Sequence, residues 1–191
     1  MKKQLMTLGC ASALLTGCIV TSVHPFYTAK DVTYDPALLG QWTNTQATDQ
    51  RWTFEKQGEN SYQLTYFSGT AGEKTNVVRA CLFKVSGASF LDFIALDGPC
   101  EVMPPPIPSH FVLRVYQVAP TLKMAALNND WLRNVLDKDP KLIRHEMLGE
   151  KDDRQVVLTA ETAELQDFLR KHLQTDDAWK DPFDLKRQAA L

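Results

Sequence analysis

The residues best suited to acid–base chemistry, the histidines, are scattered along this sequence. They lie in four different predicted segments, at His24, His110, His145 and His172. His145 and Glu146 are neighbours in a predicted strand, so their side chains point to opposite faces and cannot meet one substrate. The sequence has no GxSxG, HExxH or glycine-rich phosphate-binding motif. We therefore expect solvent-exposed or hydrogen-bonded histidines, no catalytic site and no cofactor, with an unrecognised hydrolase as the alternative.

One acidic residue stands out because of its neighbours. Asp92 lies between Leu91 and Phe93 in a predicted strand that is apolar on both faces. A buried carboxylate must be paired or must shift its pKa. Asp92 is therefore either a functional acid, an outward-facing residue, or the partner of a basic residue such as Arg114.

The start of the chain has the composition of a secretory signal. Lys2 and Lys3 form a short positive region, residues 5–15 are apolar for the most part, and small residues follow up to Gly17. The uninterrupted apolar region ends near Val20 and is shorter than the roughly 20 residues of a membrane-spanning helix. A cleaved signal is therefore favoured over an uncleaved membrane anchor.

Cys18 follows this signal directly. The run Leu15-Thr16-Gly17-Cys18 resembles the lipobox of bacterial lipoproteins. The resemblance implies that the Cys18 thiol receives a diacylglycerol, that cleavage precedes it, and that the new amine is acylated, for example with palmitate. Several acyl chains anchor durably, because each buried methylene contributes about 0.8 kcal/mol. Position 19 is isoleucine and not the aspartate that favours inner-membrane retention, so we expect an outer-membrane lipoprotein facing the periplasm.

Two more cysteines remain in the mature chain. Because Cys10 leaves with the signal and Cys18 takes the lipid, Cys81 and Cys100 face an oxidising compartment. We expect a disulfide between them that closes a loop of about 20 residues and contributes about 3 kcal/mol in the chain-entropy model. The absence of a CxxC motif and of a close histidine pair argues against a metal site.

Length and charge predict one domain without nucleic-acid binding. The formal net charge is −2 at pH 7, which becomes −4 when the two signal lysines are removed, and no dense basic cluster remains. We predict a signal at residues 1–17, a tether at 18–37, a single domain at 38–175 and a polar tail at 176–191.

Within this domain the sequence alternates as β-strands do. The clearest case is a predicted hairpin around residues 58–60, with apolar side chains at every second position on both sides. About nine short strands are predicted, at 41–45, 51–55, 62–66, 77–85, 90–96, 111–118, 122–127, 142–148 and 155–159. So many short antiparallel strands favour a mainly β fold, either a barrel or a strongly bent sheet of about 8–9 strands.

Two helices accompany these strands. A short helix near 130–138 is predicted to begin with Asn129 or Asp130 as N-cap and to end before Pro140. A C-terminal amphipathic helix near 160–173 has an apolar stripe, formed by Leu165, Phe168, Leu169 and Leu173. This stripe is expected to cover the outside or the open end of the sheet.

The connection from residue 97 to residue 110 is rich in proline. It contains Pro104, Pro105, Pro106 and Pro108. Because proline donates no hydrogen bond to a ladder, the segment is not a central strand. It is either a rigid structural loop or a lid over a barrel mouth.

The run Leu38-Leu39-Gly40-Gln41-Trp42 resembles the Gly-x-Trp signature of lipocalins and related barrels. In that family the glycine permits a close approach and the tryptophan closes one barrel end, which implies these roles for Gly40 and Trp42. The segments 51–54, 90–93 and 158–160 are also similar to those of uncharacterised lipocalin-like bacterial lipoproteins. The predicted helix near 130–138 departs from the usual lipocalin layout.

The lipocalin resemblance implies a barrel that binds a small apolar or amphipathic ligand without catalysis. The side chains expected to face inward and line the ligand site are Trp52, Phe54, Tyr62, Leu64, Tyr66, Phe111, Leu113 and Val115. An eight-stranded interior is either just filled by side chains or holds one small ligand. If it is filled, the alternative is an interaction or inhibitor scaffold that contacts an envelope partner through loop 97–110 or the 129–139 helix.

Overall fold

The computed structural model describes residues 19–69, 75–95, 109–150 and 154–189. These residues form twelve strands: β1 (Thr21–Ser22), β2 (Val32–Thr33), β3 (Gly40–Asn44), β4 (Arg51–Gln57), β5 (Ser61–Phe67), β6 (Thr75–Val85), β7 (Ala88–Ala95), β8 (His110–Gln117), β9 (Thr121–Ala126), β10 (His145–Leu148), β11 (Gln155–Leu158) and β12 (Phe183–Arg187). They also form the α-helices α1 (Asn129–Lys138) and α2 (Thr162–Lys171) and two 3₁₀ helices, Pro36–Leu38 and Asp176–Trp179.

Eight strands form a closed antiparallel barrel, which confirms the predicted fold. β3 to β9 follow one another as a meander in which each strand pairs with the next, and β12 closes the ring by pairing with β9 and β3. Tight turns set this order. Between β6 and β7, Ser86 and Gly87 have φ angles of 50° and 82°, as a two-residue type I′ turn requires.

The barrel strands separate two apolar cores, because successive side chains of a strand point to opposite faces. The inner core fills the barrel. The outer core covers the outside of the β6 to β9 wall and includes its outward-facing residues Phe83, Val85, Phe90, Val112 and Ala125. This second core explains why the sequence of these strands is apolar on both faces.

Both predicted helices are present and pack on the outer core. The N-cap of α1 is Asn128 and not the predicted Asn129 or Asp130. Its side-chain oxygen accepts hydrogen bonds from the N–H groups of Asp130 and Trp131, at 3.0 and 3.2 Å. α2 begins at Thr162, two residues later than predicted, and its stripe residues Leu165, Phe168 and Leu169 are buried. The stripe therefore covers the outside of the barrel wall.

Residues 19–37, where the sequence predicts a tether, pack as part of the folded domain. Val20, Ser22 and Phe26 are buried, and β1 lies between β8 and β11. The alternation of apolar and polar residues could not predict this packing, because β1 has only two residues and so no measurable period.

The C-terminal residues 176–189 also differ from the predicted polar tail. The 3₁₀ helix Asp176–Trp179 buries Trp179 in the outer core, and β12 supplies the eighth strand of the barrel. β12 contributes only Phe183 and Leu185 to the inner core. Two apolar residues in a polar segment are too short an alternation to identify a strand.

The disulfide expected between Cys81 and Cys100 is not formed, and this expectation is corrected. Cys81 is a free, buried thiol, and Cys100 lies outside the described residues. The Cys81 side chain projects from the outer face of β6 and lies beside Tyr27, which belongs to the packed N-terminal segment. Most of the proline-rich connection, 97–108, also lies outside the described residues.

Candidate functional site

The barrel interior contains the residues predicted to line a ligand site. Phe54, Tyr62, Leu64, Leu113 and Val115 are buried members of the inner core, and Trp52 and Phe111 pack against it. Tyr66 is 7% exposed, and its ring meets that of Trp52 edge-on at a centroid distance of 5.3 Å. The sequence alternation thus brings all eight side chains to one interior.

Most of this interior is filled by its own side chains. Many of the large inner-core residues are at most 2% exposed, namely Trp42, Phe54, Tyr62, Leu64, Leu91, Phe93, Leu122, Met124 and Leu185. A cavity that holds a water molecule would leave accessible surface on the side chains lining it. These side chains have almost none, so no water-sized space lies against them.

One end of the barrel, the base, is closed around Trp42. The indole Nε1–H of Trp42 donates to the Leu38 carbonyl at 2.9 Å. The guanidinium of Arg187 lies 4.3 Å from the centroid of the Trp42 ring and also donates to the carbonyls of Ala37 and Leu39. One arginine of β12 therefore ties together the ring, the strand β3 and the 3₁₀ helix that covers the base.

Gly40 is needed for this closure. Its φ of 110° is a conformation that residues with a side chain rarely adopt. A Cβ atom at this position would lie 3.0 Å from a guanidinium nitrogen of Arg187. The glycine therefore leaves the space that the arginine occupies beside Trp42.

A cluster of aromatic rings lies towards the mouth, the end at which β4 begins, and its Trp52 is the ladder partner of Trp42. Trp52 meets Phe93 edge-on at 6.2 Å and lies 5.9 Å from Phe183, and Phe93 stacks on Phe111 at 4.8 Å. Trp52 and Phe111 are only partly buried. The Nε1 atom of Trp52 is itself buried, and no described residue accepts its hydrogen, which costs on the order of 1–3 kcal/mol.

On the outside of the barrel wall, a buried, hydrogen-bonded pair of side chains holds the N-terminal segment. Asp92 Oδ1 lies 2.7 Å from His110 Nδ1, and both side chains are almost fully buried. The other carboxylate oxygen accepts the backbone N–H of Phe26 at 2.9 Å. Burial raises the pKa of Asp92, and the hydrogen bond and charge of His110 oppose that rise. Arg114, the expected basic partner, instead lies 4.6 Å over the Tyr116 ring.

Cys81 lies beside this pair but is not an activated nucleophile. It is directly opposite Asp92 in the β6–β7 ladder, and its thiol lies beside the Tyr27 side chain. Burial raises the pKa of the thiol, so the reactive thiolate is disfavoured. The arrangement of Tyr27, Cys81, Asp92 and His110 therefore fixes the N-terminal segment on the barrel wall.

A shallow groove lies between α1 and the 3₁₀ helix Asp176–Trp179. Trp131 lies in this groove, with its ring 5.0 Å from His172 and 6.2 Å from Phe168. Burial first, and the charge of Lys171 second, lower the pKa of His172. The rest of the lining is mostly polar and carries both signs of charge: Asn128, Asp130, Asn134, Val135, Lys138, Asp177 and Lys180.

Comparisons with protein families, with curated proteins and with solved structures find no match to this chain. Neither helix in the described part of the chain has the length and apolar character needed to cross a membrane. The described residues also contain no cluster of three histidine, cysteine or acidic side chains that could hold a metal ion.

Sequence reasoning missed two parts of these sites. Arg187 lies in the segment predicted to be a tail, and its signal is its position two residues after Leu185 in the short Phe183–Leu185 alternation. The partnership of Asp92 with His110 was also missed, since their strands are joined by a long connection. Asp92 and His110 each lie next to apolar strand residues. This shared position among buried residues is the signal that could have suggested their contact.

Proposed function

We propose that this protein is a lipid-anchored lipoprotein of the bacterial envelope, held through Cys18 in the outer membrane and facing the periplasm. Its domain is a non-catalytic scaffold that binds a protein partner through its outer surface. The signal at residues 1–17 and the lipobox-like run ending at Cys18 support the anchoring. The filled barrel supports the scaffold.

The filled interior is the observation that carries this proposal. A site for a small ligand is a cavity of a few hundred Å³ lined by apolar side chains. Here the apolar side chains are present, but residues such as Phe54, Leu91 and Met124 use their surface to contact one another. The expectation of an internal ligand therefore gives way to its alternative, the interaction scaffold.

The α1 groove offers the surface that best fits such a role. Tryptophan is enriched among residues that dominate binding energy at protein interfaces, and Trp131 is only partly covered by Phe168 and His172. Asp130 and Lys138 flank it with opposite charges. These charges favour a partner that presents an apolar side chain within a polar rim.

A displacement titration tests the filled barrel against a ligand carrier. The mature protein is titrated with a fluorescent fatty-acid analogue, and unlabelled fatty acid is then added. We expect no saturable fluorescence change, because the inner core leaves no room for an acyl chain. Binding of one analogue per chain, displaced by the unlabelled acid, would overturn the scaffold proposal.

Crosslinking in the envelope tests the surface. A photoreactive amino acid at position 134, in the α1 groove, is expected to give a discrete adduct with one envelope protein. The variant Trp131→Ala should lose this adduct, whereas Tyr116→Ala, which changes an exposed aromatic residue outside that groove, should retain it. Equal adduct yields in the two variants would show that the partner does not bind at Trp131 in the α1 groove.

The aromatic mouth supports a second candidate function, the binding of a small amphipathic molecule at the rim of the barrel. The partly buried rings of Trp52 and Phe111 favour it, because the apolar part of a ligand would cover the surface that they leave exposed. If the titration shows binding, Trp52→Ala should weaken it, since the ring is lost. The matched control Trp131→Ala, in the α1 groove, should bind unchanged.

A further inference from the structure

The first described residue, Ile19, is already fixed to the folded domain. Its backbone forms a bridge with Asn128, and its carbonyl accepts the side-chain N–H of Gln155 at 3.1 Å. The next residue, Val20, is 1% exposed, and Ser22 is fully buried. No flexible stretch therefore separates position 19 from the barrel wall.

This attachment determines how far the domain can lie from its anchor. Consecutive Cα atoms are about 3.8 Å apart, so Cys18 is held at that distance from a fixed residue. A flexible tether of about 20 residues would instead allow a root-mean-square separation of about 25 Å. A lipid on Cys18 therefore brings the bilayer to the surface around Ile19.

The same surface carries the most exposed of the large apolar side chains in the described chain. Leu148 is 56% exposed, compared with 43% for Tyr116 and 40% for Val77. It lies directly opposite Gln155 in the β10–β11 ladder, and paired residues of a ladder project to the same face. Gln155 in turn contacts Ile19. The exposed leucine is therefore one side chain away from the anchored residue.

We propose that the domain is seated directly on the lipid bilayer, with the surface formed by Ile19, Leu148 and Gln155, the seating surface, against the headgroups. This inference rests on the proposed lipidation of Cys18 and adds the orientation of the domain. Leu148 enters the interface between headgroups and acyl chains, where an apolar side chain is stabilised.

The strand directions show which part of the barrel faces away from the membrane. β9 runs from Thr121, which pairs with Lys186 beside the base, to Ala126, and Asn128 follows at the mouth end. The seating surface is therefore at the mouth end. The hairpin between β4 and β5, at residues 58–60, is at the base and points away from the bilayer.

Fluorescence quenching in vesicles tests this seating. An environment-sensitive fluorescent amino acid replaces either Leu148 or, as the matched control at the base, Glu59. The full-length lipidated protein is purified and inserted into vesicles of phosphatidylethanolamine and phosphatidylglycerol that contain a nitroxide-labelled headgroup lipid. We expect severalfold stronger quenching at position 148 than at position 59. Insertion of a flexible glycine–serine segment of tether length between Cys18 and Ile19 should remove the difference.

The outcomes separate this inference from the anchoring on which it rests. Intact mass measures the lipid on Cys18 in every sample. Equal quenching at positions 148 and 59 in protein that carries the lipid overturns the seating and leaves the anchoring intact. A mass without lipid overturns the anchoring and the seating together.

Discussion

Arg187 and Trp42 hold the base of the barrel closed from opposite ends of the domain sequence. The guanidinium lies 4.3 Å from the centroid of the indole ring, and its N–H groups also reach the carbonyls of Ala37 and Leu39. The last strand of the barrel is thus fastened to the first strand and to the 3₁₀ helix before it. This contact adds to the backbone ladders through which β12 pairs with β3 and β9.

Removing this arginine should loosen the base. Arg187→Ala loses the cation–π contact and two hydrogen bonds, and should lower the free energy of unfolding by about 1 to 2 kcal/mol. Arg187→Lys keeps the charge but lacks the planar guanidinium. Its free energy of unfolding should therefore lie between those of the wild type and Arg187→Ala. Urea denaturation followed by tryptophan fluorescence measures the effect. An unchanged midpoint in Arg187→Ala would show that the contact contributes nothing.

Gly40→Ala should be more damaging than the same change in an exposed turn. The φ of 110° is strained for alanine, and the new Cβ would lie 3.0 Å from Arg187, so we expect a loss of about 2 kcal/mol. Gly58→Ala is the matched control, because Gly58 has a φ of 68° and its nearest neighbour would be 3.8 Å away. The Gly58→Ala variant should lose about 1 kcal/mol of the free energy of unfolding. Equal losses of stability in Gly40→Ala and Gly58→Ala, measured by thermal or urea unfolding, would contradict the role of Gly40.

The stability contributed by Asp92 should depend on pH. Burial raises the pKa of this carboxyl in the folded protein, so the folded state holds the proton more tightly than the unfolded state. Relative to Asp92→Asn, the wild-type protein should therefore lose stability as the pH rises from about 4, the ordinary aspartate pKa, through the raised value. Urea unfolding of both proteins across this range measures the difference. A difference that grows in favour of the wild type as the pH rises would contradict the assignment.

The Cys81 thiol should react slowly in the native protein. It is buried beneath Tyr27, and burial raises its pKa. In a Cys100→Ser variant of the mature domain, a thiol reagent should react slowly with the native protein and rapidly after unfolding without reductant. Fast reaction of the native protein would contradict the packing of the N-terminal segment over β6.

The fold could be predicted from the sequence where alternation is long. The β4–β5 hairpin and the inward direction of Phe54, Tyr62 and Leu64 follow from regular apolar positions. α1 and α2 follow from their apolar stripes, whereas the predicted N-cap of α1 was wrong. Each of these signals is local, because it depends only on residues within one or two elements.

The parts that could not be predicted depend on contacts between distant segments. β1 has two residues and β12 only two inward apolar ones, so neither has a readable period. The hydrogen bond between Asp92 and His110 forms between strands joined by a long connection, and it is buried because β1 and Phe26 cover the wall there. Whether a barrel of this size is filled depends on summed side-chain volumes and on register, which alternation alone does not give.

The most direct test of the filled barrel is an NMR titration with benzene, comparing the wild-type mature protein with Leu91→Ala. Leu91 is fully buried in the inner core, and its truncation should leave an apolar cavity that admits a small apolar molecule. We expect saturable shifts of inner-core resonances in Leu91→Ala and none in the wild type. Saturable shifts of the same resonances in the wild-type protein would show an internal cavity and contradict the account.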